Sequence, residues 1–356
     1  MTTLDPAHRT HTPLTASLPA GWHRFTCIDA HTGGEPLRVI TSGFPEPPGK
    51  TMLEKRAFLL EHCDHLRRAL MHEPRGHADM YGCLPTAPVS EDGDLGVLFM
   101  HNEGYSTMCG HGIIAIVKVG LDCGLFSPRH GLDSIRIDTP AGRVTARAEC
   151  SEGQVRRVLF RNVPSFALEL GRLVDVPQLG SVSVDIGFGG AFYAYVDGAA
   201  LGLVPDEPRP LIDAGMRIKR AVAASCKIVH PSGDPDLNFL YGTIFTWASR
   251  AGTGADEVHS RNVCIFAEGE VDRSPTGTGV SGRAAILHAK GELALGRSIT
   301  IESIVKSRFS VSAVEALQIG AVVAIVPEVG GTAHVTGRHE FLVDPADPFA
   351  HGFFLR

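Results

Sequence analysis

Apolar residues recur along this chain at two spacings, and the spacings come in the same order twice. Phe25 to Asp29 is a short apolar run, His31-Thr32-Gly33-Gly34-Glu35-Pro36 interrupts it, and Leu37 to Ile40 resumes as a strand. From Leu53 to Met71, Leu59, Cys63, Leu66 and Leu70 fall at helical intervals, which predicts one amphipathic helix stopped by Pro74. Leu95 to Met100 reads as a strand and Asn102 to Met108 as a loop. Gly112 to Leu121 reads as a helix so apolar that it would be buried on nearly every side. Ile135 to Ile137 and Arg143 to Ala148 predict an antiparallel pair around Pro140-Ala141-Gly142.

The second half follows suit. Ser181 to Ile186 and Ala191 to Val196 read as strands around Gly187, Gly189 and Gly190, and Leu211 to Cys226 reads as a helix with Leu211, Gly215, Ile218 and Val222 on one face. Phe239 to Trp247 and Asn262 to Ala267 are strands, a loop leads to Thr276, and Val280 to His288 is a helix. Aligned on Cys109 and Thr276, 167 residues apart, the halves share Gly110/Gly277, Gly112/Gly279 and Gly124/Gly291. This pattern predicts two similar α+β halves, each with sheet around a central apolar helix, and with the two helix starts facing one cleft.

Composition narrows the setting. At 356 residues the chain exceeds the usual size of a single core, so two domains are expected. The expected limits are a loose tail over 1–20, a first domain over 21–180 to which 340–356 return, and a second over 181–339. A net charge of −6 without a dense Lys/Arg stripe argues against a nucleic-acid partner. The first twenty residues lack the apolar core of a signal peptide. The longest apolar run, Ala321 to Val326, fits a buried strand and is too short to span a bilayer, so no membrane association is expected. Eight dispersed cysteines without a CxxC pair point to a reducing cytoplasm.

The glycine-rich helix starts carry the candidate chemistry. Unpaired backbone N–H groups at the positive end of a helix suit a carboxylate, so each copy can donate amides to one small anion. Cys109 sits at the first start, where the same field is expected to draw the thiol toward thiolate; Thr276 holds the matching place in the second. The other seven cysteines read as small buried apolar residues. His111 reads either as a helix cap or as a substrate contact, and Asp272 either as a turn stabiliser or as the counter-charge for a substrate ammonium. Gly277 to Gly282 satisfies GxGxxG, but about nine residues separate its first glycine from the preceding strand, against a nicotinamide fingerprint. His62, Cys63, His65, His72 and His77 complete no metal-ligand spacing, and the histidines read as solvated helix-face residues.

With His31-Thr32-Gly33-Gly34-Glu35-Pro36, Met108-Cys109-Gly110-His111 and Asp272-Arg273-Ser274-Pro275-x-Gly277-Thr278-Gly279 in this order, the chain resembles the proline racemase family. The resemblance implies a mixed α/β, diaminopimelate-epimerase-like fold: two pseudo-symmetric domains, an active site in the cleft between them, no cofactor and no metal. It also implies a homodimer acting on a small imino acid. Racemases of the family use a cysteine at each helix start, one removing the α-proton and the other returning one from the far side. Here Thr276 replaces the second cysteine, the mark of the trans-3-hydroxy-L-proline dehydratase branch. The roles so implied are Cys109 as proton acceptor, the amides of Gly110, His111, Gly277 and Thr278 on the carboxylate, and His111 with Asp272 around the ring nitrogen. In trans-3-hydroxy-L-proline the C3 hydroxyl shares a ring face with the Cα hydrogen, so one thiol could serve both. The alternatives are a proline or 4-hydroxyproline epimerase and a non-catalytic imino-acid-binding protein.

Overall fold

The computed structural model describes residues 19–248 and 258–355; most of the expected N-terminal tail lies outside them. The first run of elements is β1 (His23–Thr32), β2 (Glu35–Ser42), α1 (Met52–His62), α2 (Asp64–Met71), β3 (Tyr81–Thr86), β4 (Leu95–His101), β5 (Tyr105–Ser106), α3 (Gly110–Asp122), β6 (Ile135–Thr139), β7 (Gly142–Ser151), β8 (Gln154–Arg161) and β9 (Ser165–Val176). The second is β10 (Gly180–Phe188), β11 (Phe192–Asp197), α4 (Pro208–Ser225), β12 (Leu240–Ala248), β13 (Val258–Phe266), β14 (Glu270–Val271), α5 (Gly277–Ala289), β15 (Ser298–Glu302), β16 (Arg308–Ile319), β17 (Val322–Gly331) and β18 (Ala333–Val343).

Pairing repeats with the order. In the first run β1–β2 is antiparallel, β2–β3 parallel, β3–β4 and β4–β5 antiparallel, β4–β6 parallel, and β6–β7 and β7–β8 antiparallel. The second run has the same sequence of senses from β10–β11 through β11–β12, β12–β13, β13–β14, β13–β15 and β15–β16 to β16–β17. The last strand of each run crosses over: β9 pairs with β10, and β18 pairs with β1 along its whole length. By this pairing β9 sits with the second run and β18 with the first. The expected limit at 180 therefore falls at the hairpin joining β9 to β10, and the limit at 340 falls inside β18.

The central helices are as apolar as their sequences demand. Lys118 is the only charged residue of α3 before its last position, and its ammonium reaches the Val155 carbonyl and the Asp122 carboxylate at the helix rim. Both helices end alike. Gly124 and Gly291 adopt φ of +70° and +76°, and Leu125 N–H and Glu292 N–H bond back to Gly120 and Leu287 carbonyls, the Schellman closure that glycine makes easy.

Two local expectations change. The amphipathic stretch from Leu53 to Met71 is two helices broken at Cys63 (φ −124°, ψ 9°). The break lets α2 turn Arg67 inward, where its guanidinium is buried and donates to the His101 and Asn102 carbonyls. Within Ala321 to Val326 only Ala324 and Ile325 are buried, and Val323 is 59% exposed, because β17 leaves an exposed turn at Ala321 and becomes buried only further along. Among the described residues, no helix is long and apolar enough to cross a membrane.

Candidate active site

The two helix starts touch. A Cβ added to Gly110 would lie under 3.0 Å from the Cα of Gly277, and one added to Gly277 would do the same at Gly110, so only glycine at both places lets α3 and α5 meet end to end. Cys109 precedes α3 in extended conformation and its sulfur accepts a hydrogen bond from Gly112 N–H at 3.2 Å, capping its own helix. A side chain at position 112 would collide with Phe99 and press on that sulfur. At α5, Thr276 holds φ +68°, a left-handed conformation costly for a β-branched residue. Its hydroxyl is buried and meets no partner.

The loop before Thr276 is pinned at each step. Asp272 Oδ1 accepts from Ser274 N–H at 2.7 Å, Ser274 Oγ accepts from Thr276 N–H at 3.1 Å, and Glu35 Oε2 accepts from Arg273 N–H at 2.7 Å. Glu35 belongs to the His31 to Pro36 turn, so this last bond ties that turn to the second run. Asp272 thus does serve the turn, while also facing the cavity described next.

Between the helix starts lies a cavity with a free volume, mouth included, of about 290 Å³. Cys109, Gly110, His111, Asp272, Thr276, Gly277 and Thr278 all line it, so every residue singled out from the sequence comes together there. The first-turn amides of both helices lack intrahelical acceptors by construction. Tyr81, Tyr193, Tyr241, Cys264, Met108 and Phe266 complete the wall, and the sequence reading missed all six. The chain has only five tyrosines, so three at one cavity is a concentration that composition alone could have flagged but not located.

Electrostatics overturns one expectation. Burial pushes the Cys109 thiol well above the ordinary thiol range, against the lowering effect of the Gly112 N–H, and the nearby Asp272 carboxylate pushes the same way as burial. Desolvation outweighs the helix start, so the site as it stands holds a thiol instead of the expected thiolate. Burial also lowers His111, which is therefore neutral; its Nδ1 lies 3.3 Å from the Cys109 sulfur. Glu35 is pushed well up by burial and by Asp272. The other cysteines are not uniformly buried: Cys123 and Cys150 are exposed, Cys226 is half-buried, and Cys264 lines the cavity.

The GxGxxG glycines serve packing. Gly277 meets Gly110, Gly279 faces Ile244, and Gly282 faces the Tyr195 hydroxyl, all within α5 and not in a turn leaving a strand.

Comparison with known proteins agrees with this geometry. Residues 27–354 match the proline racemase family model. A trans-3-hydroxy-L-proline dehydratase from Colwellia psychrerythraea is 47% identical over 331 residues, covering 92% of each chain. A 3-hydroxyproline 2-epimerase from Burkholderia multivorans is 44% identical over 92% of this chain and 97% of its own. The crystal structure of a hydroxyproline epimerase from Agrobacterium vitis, with bound trans-4-hydroxy-L-proline, superposes with a TM-score of 0.85 at 29% identity, covering 94% of this chain and 96% of that one. The fold is thus the mixed α/β, diaminopimelate-epimerase-like one, and the chain belongs to the proline racemase family.

Proposed function

We propose that this protein is a hydro-lyase that dehydrates trans-3-hydroxy-L-proline to Δ1-pyrroline-2-carboxylate without a cofactor. The observation that carries the reading is the pairing of a sulfur at one helix start with a hydroxyl at the other, across touching glycines and on one cavity. The dehydratase name of the Colwellia relative supports it. In this reading the amides of Gly110, His111, Gly277 and Thr278 hold the substrate carboxylate, while Asp272 and neutral His111 face the ring nitrogen.

The substrate's own charge assists the chemistry. A ring ammonium entering beside Cys109 offsets the desolvation and the Asp272 field that hold the thiol protonated, and so favours thiolate, its proton released to solvent, once substrate is in place. The thiolate removes the α-proton, and the amide-bound carboxylate accepts the developing charge. The Cα–C3 double bond forms as the C3 hydroxyl departs from the same face, and the enamine tautomerises to the imine. Thr276 has no acidity near neutrality with which to protonate Cα from the opposite face, so inversion is not supported.

A second reading, 3-hydroxyproline epimerisation, is favoured by the name of the Burkholderia relative and by the Cys264 thiol on the cavity wall. Assaying each hydroxyproline isomer for pyrroline-2-carboxylate and, by chiral chromatography, for inverted product separates the two. Loss of water with little inversion is expected; inversion without loss of water would replace the dehydratase reading, and binding without any product would leave an imino-acid-binding protein. We also infer a homodimer working in the cytoplasm, the latter supported by cysteines that are all free. The two lobes we infer are residues 23–161 with 333–343, and residues 165–331.

A further inference from the structure

The dehydration leaves a departing C3 hydroxyl that needs a proton, and the cavity holds a set of hydroxyls given no task so far. The Tyr81 hydroxyl is hydrogen-bonded to Ser106 Oγ, and Ser106 Oγ lies 3.0 Å from the Tyr241 hydroxyl, all three side chains being buried. Tyr81 and Tyr241 both line the cavity. The Tyr81 ring stands edge-on to the His111 ring, centroids 4.7 Å apart, and His111 Nδ1 is 3.3 Å from the Cys109 sulfur. Tyr81 and Cys109 line the same cavity, so the chain of three hydroxyls reaches the wall that holds the proposed base.

Stereochemistry puts the leaving group at the same spot. The α-hydrogen and the C3 hydroxyl share a ring face, so a thiolate placed for the former has the latter beside it, in the cavity whose wall Tyr81 shares with Cys109. We propose that Tyr81 is the acid that releases the C3 hydroxyl, relaying to it the proton that Cys109 has taken from Cα. This rests on the dehydratase reading. The Tyr81 O–H proton joins the departing oxygen, which leaves with the C3–O electron pair as water. The Cys109 S–H proton moves to the Tyr81 oxygen, and the cycle ends with thiolate and neutral tyrosine. Burial holds Tyr81 well above its ordinary range, so it passes a proton on without resting as the anion. Ser106 and Tyr241 are positioning residues that orient the Tyr81 oxygen.

The test uses the full-length enzyme with Tyr81→Phe and Ser106→Ala and reads two rates: water loss from trans-3-hydroxy-L-proline, and α-hydrogen exchange of L-proline in D₂O. Exchange has no leaving group, so it reports the thiol alone. Tyr81→Phe is expected to lower the ratio of dehydration to exchange about 100-fold, and Ser106→Ala by about 10-fold. An unchanged ratio in Tyr81→Phe overturns the relay, whether both rates persist or both fall together. Should Tyr81→Phe fail to fold, Ser106→Ala decides, and an unmoved ratio there overturns it. A wild-type enzyme that exchanges L-proline but never dehydrates trans-3-hydroxy-L-proline fails the function and the relay with it; dehydration with unmoved ratios fails the relay alone.

Discussion

At their carboxyl ends α3 and α5 are built alike, each closed by a glycine at positive φ and the same pair of backbone bonds, whereas their amino ends part company. Cys109 is extended and spends its sulfur on Gly112 N–H; Thr276 is left-handed, caps nothing, and keeps a buried hydroxyl without a partner. The duplication thus holds at the glycines that close the helices and at the touching pair Gly110 and Gly277, and it fails at the first cavity position of each copy, Cys109 against Thr276. In the proposed reading, the difference means that the two faces of a bound ring would meet unlike groups: a sulfur that can exchange a proton and an alcohol that cannot.

The largest effect expected is at the sulfur. Cys109→Ser should lower dehydration at least about 1,000-fold, since a hydroxyl cannot supply the base, while calorimetry still detects L-proline binding. Retained turnover would take Cys109 out of the mechanism. Next come the touching glycines: Gly110→Ala and Gly277→Ala each drive a methyl group into the facing backbone and should cost about 100-fold in kcat/KM by spreading the two sets of amides. A near-normal rate in either would show that the helix starts need not meet.

Thr276→Cys tests the asymmetry from the other side. It places a competent acid opposite Cys109, and D-proline formation from L-proline should rise at least about 10-fold above the wild-type trace, measured by chiral chromatography. The pH profile sharpens the account of the sulfur. Because burial raises the thiol and the thiolate is the working form in the proposed mechanism, kcat/KM should climb about tenfold per pH unit from roughly pH 6 to pH 8. A profile flat over that range would mean that thiolate is already formed in the free enzyme. The smallest effect belongs to the matched ends: Gly124→Ala and Gly291→Ala meet open space, so each should cost only the left-handed backbone penalty of about 1 kcal/mol in denaturant unfolding, and nearly the same for both.

Much of the site was legible in the chain because its signal is local. The glycines, Cys109, His111 and the Asp272 to Thr278 loop lie within a few residues of the helix starts, and the 167-residue offset between copies is visible in the sequence itself. What escaped is what depends on distant pairing. Tyr81 opens β3 and Tyr241 is the second residue of β12, and no spacing along either strand marks their hydroxyls as cavity groups. The exchange of β9 and β18 between runs has the same origin. The thiol's direction was misjudged because a helix start is seen in the sequence, whereas burial comes from the whole fold. The break at Cys63 carries no glycine or proline to announce it.

One-sided proton chemistry is tested most directly by incubating L-proline with the wild-type enzyme in D₂O and following deuterium at Cα and configuration together. The account predicts deuterated L-proline accumulating steadily with little D-proline. D-proline appearing as fast as deuterium enters would contradict it, because a second proton donor would then stand on the Thr276 side of the ring.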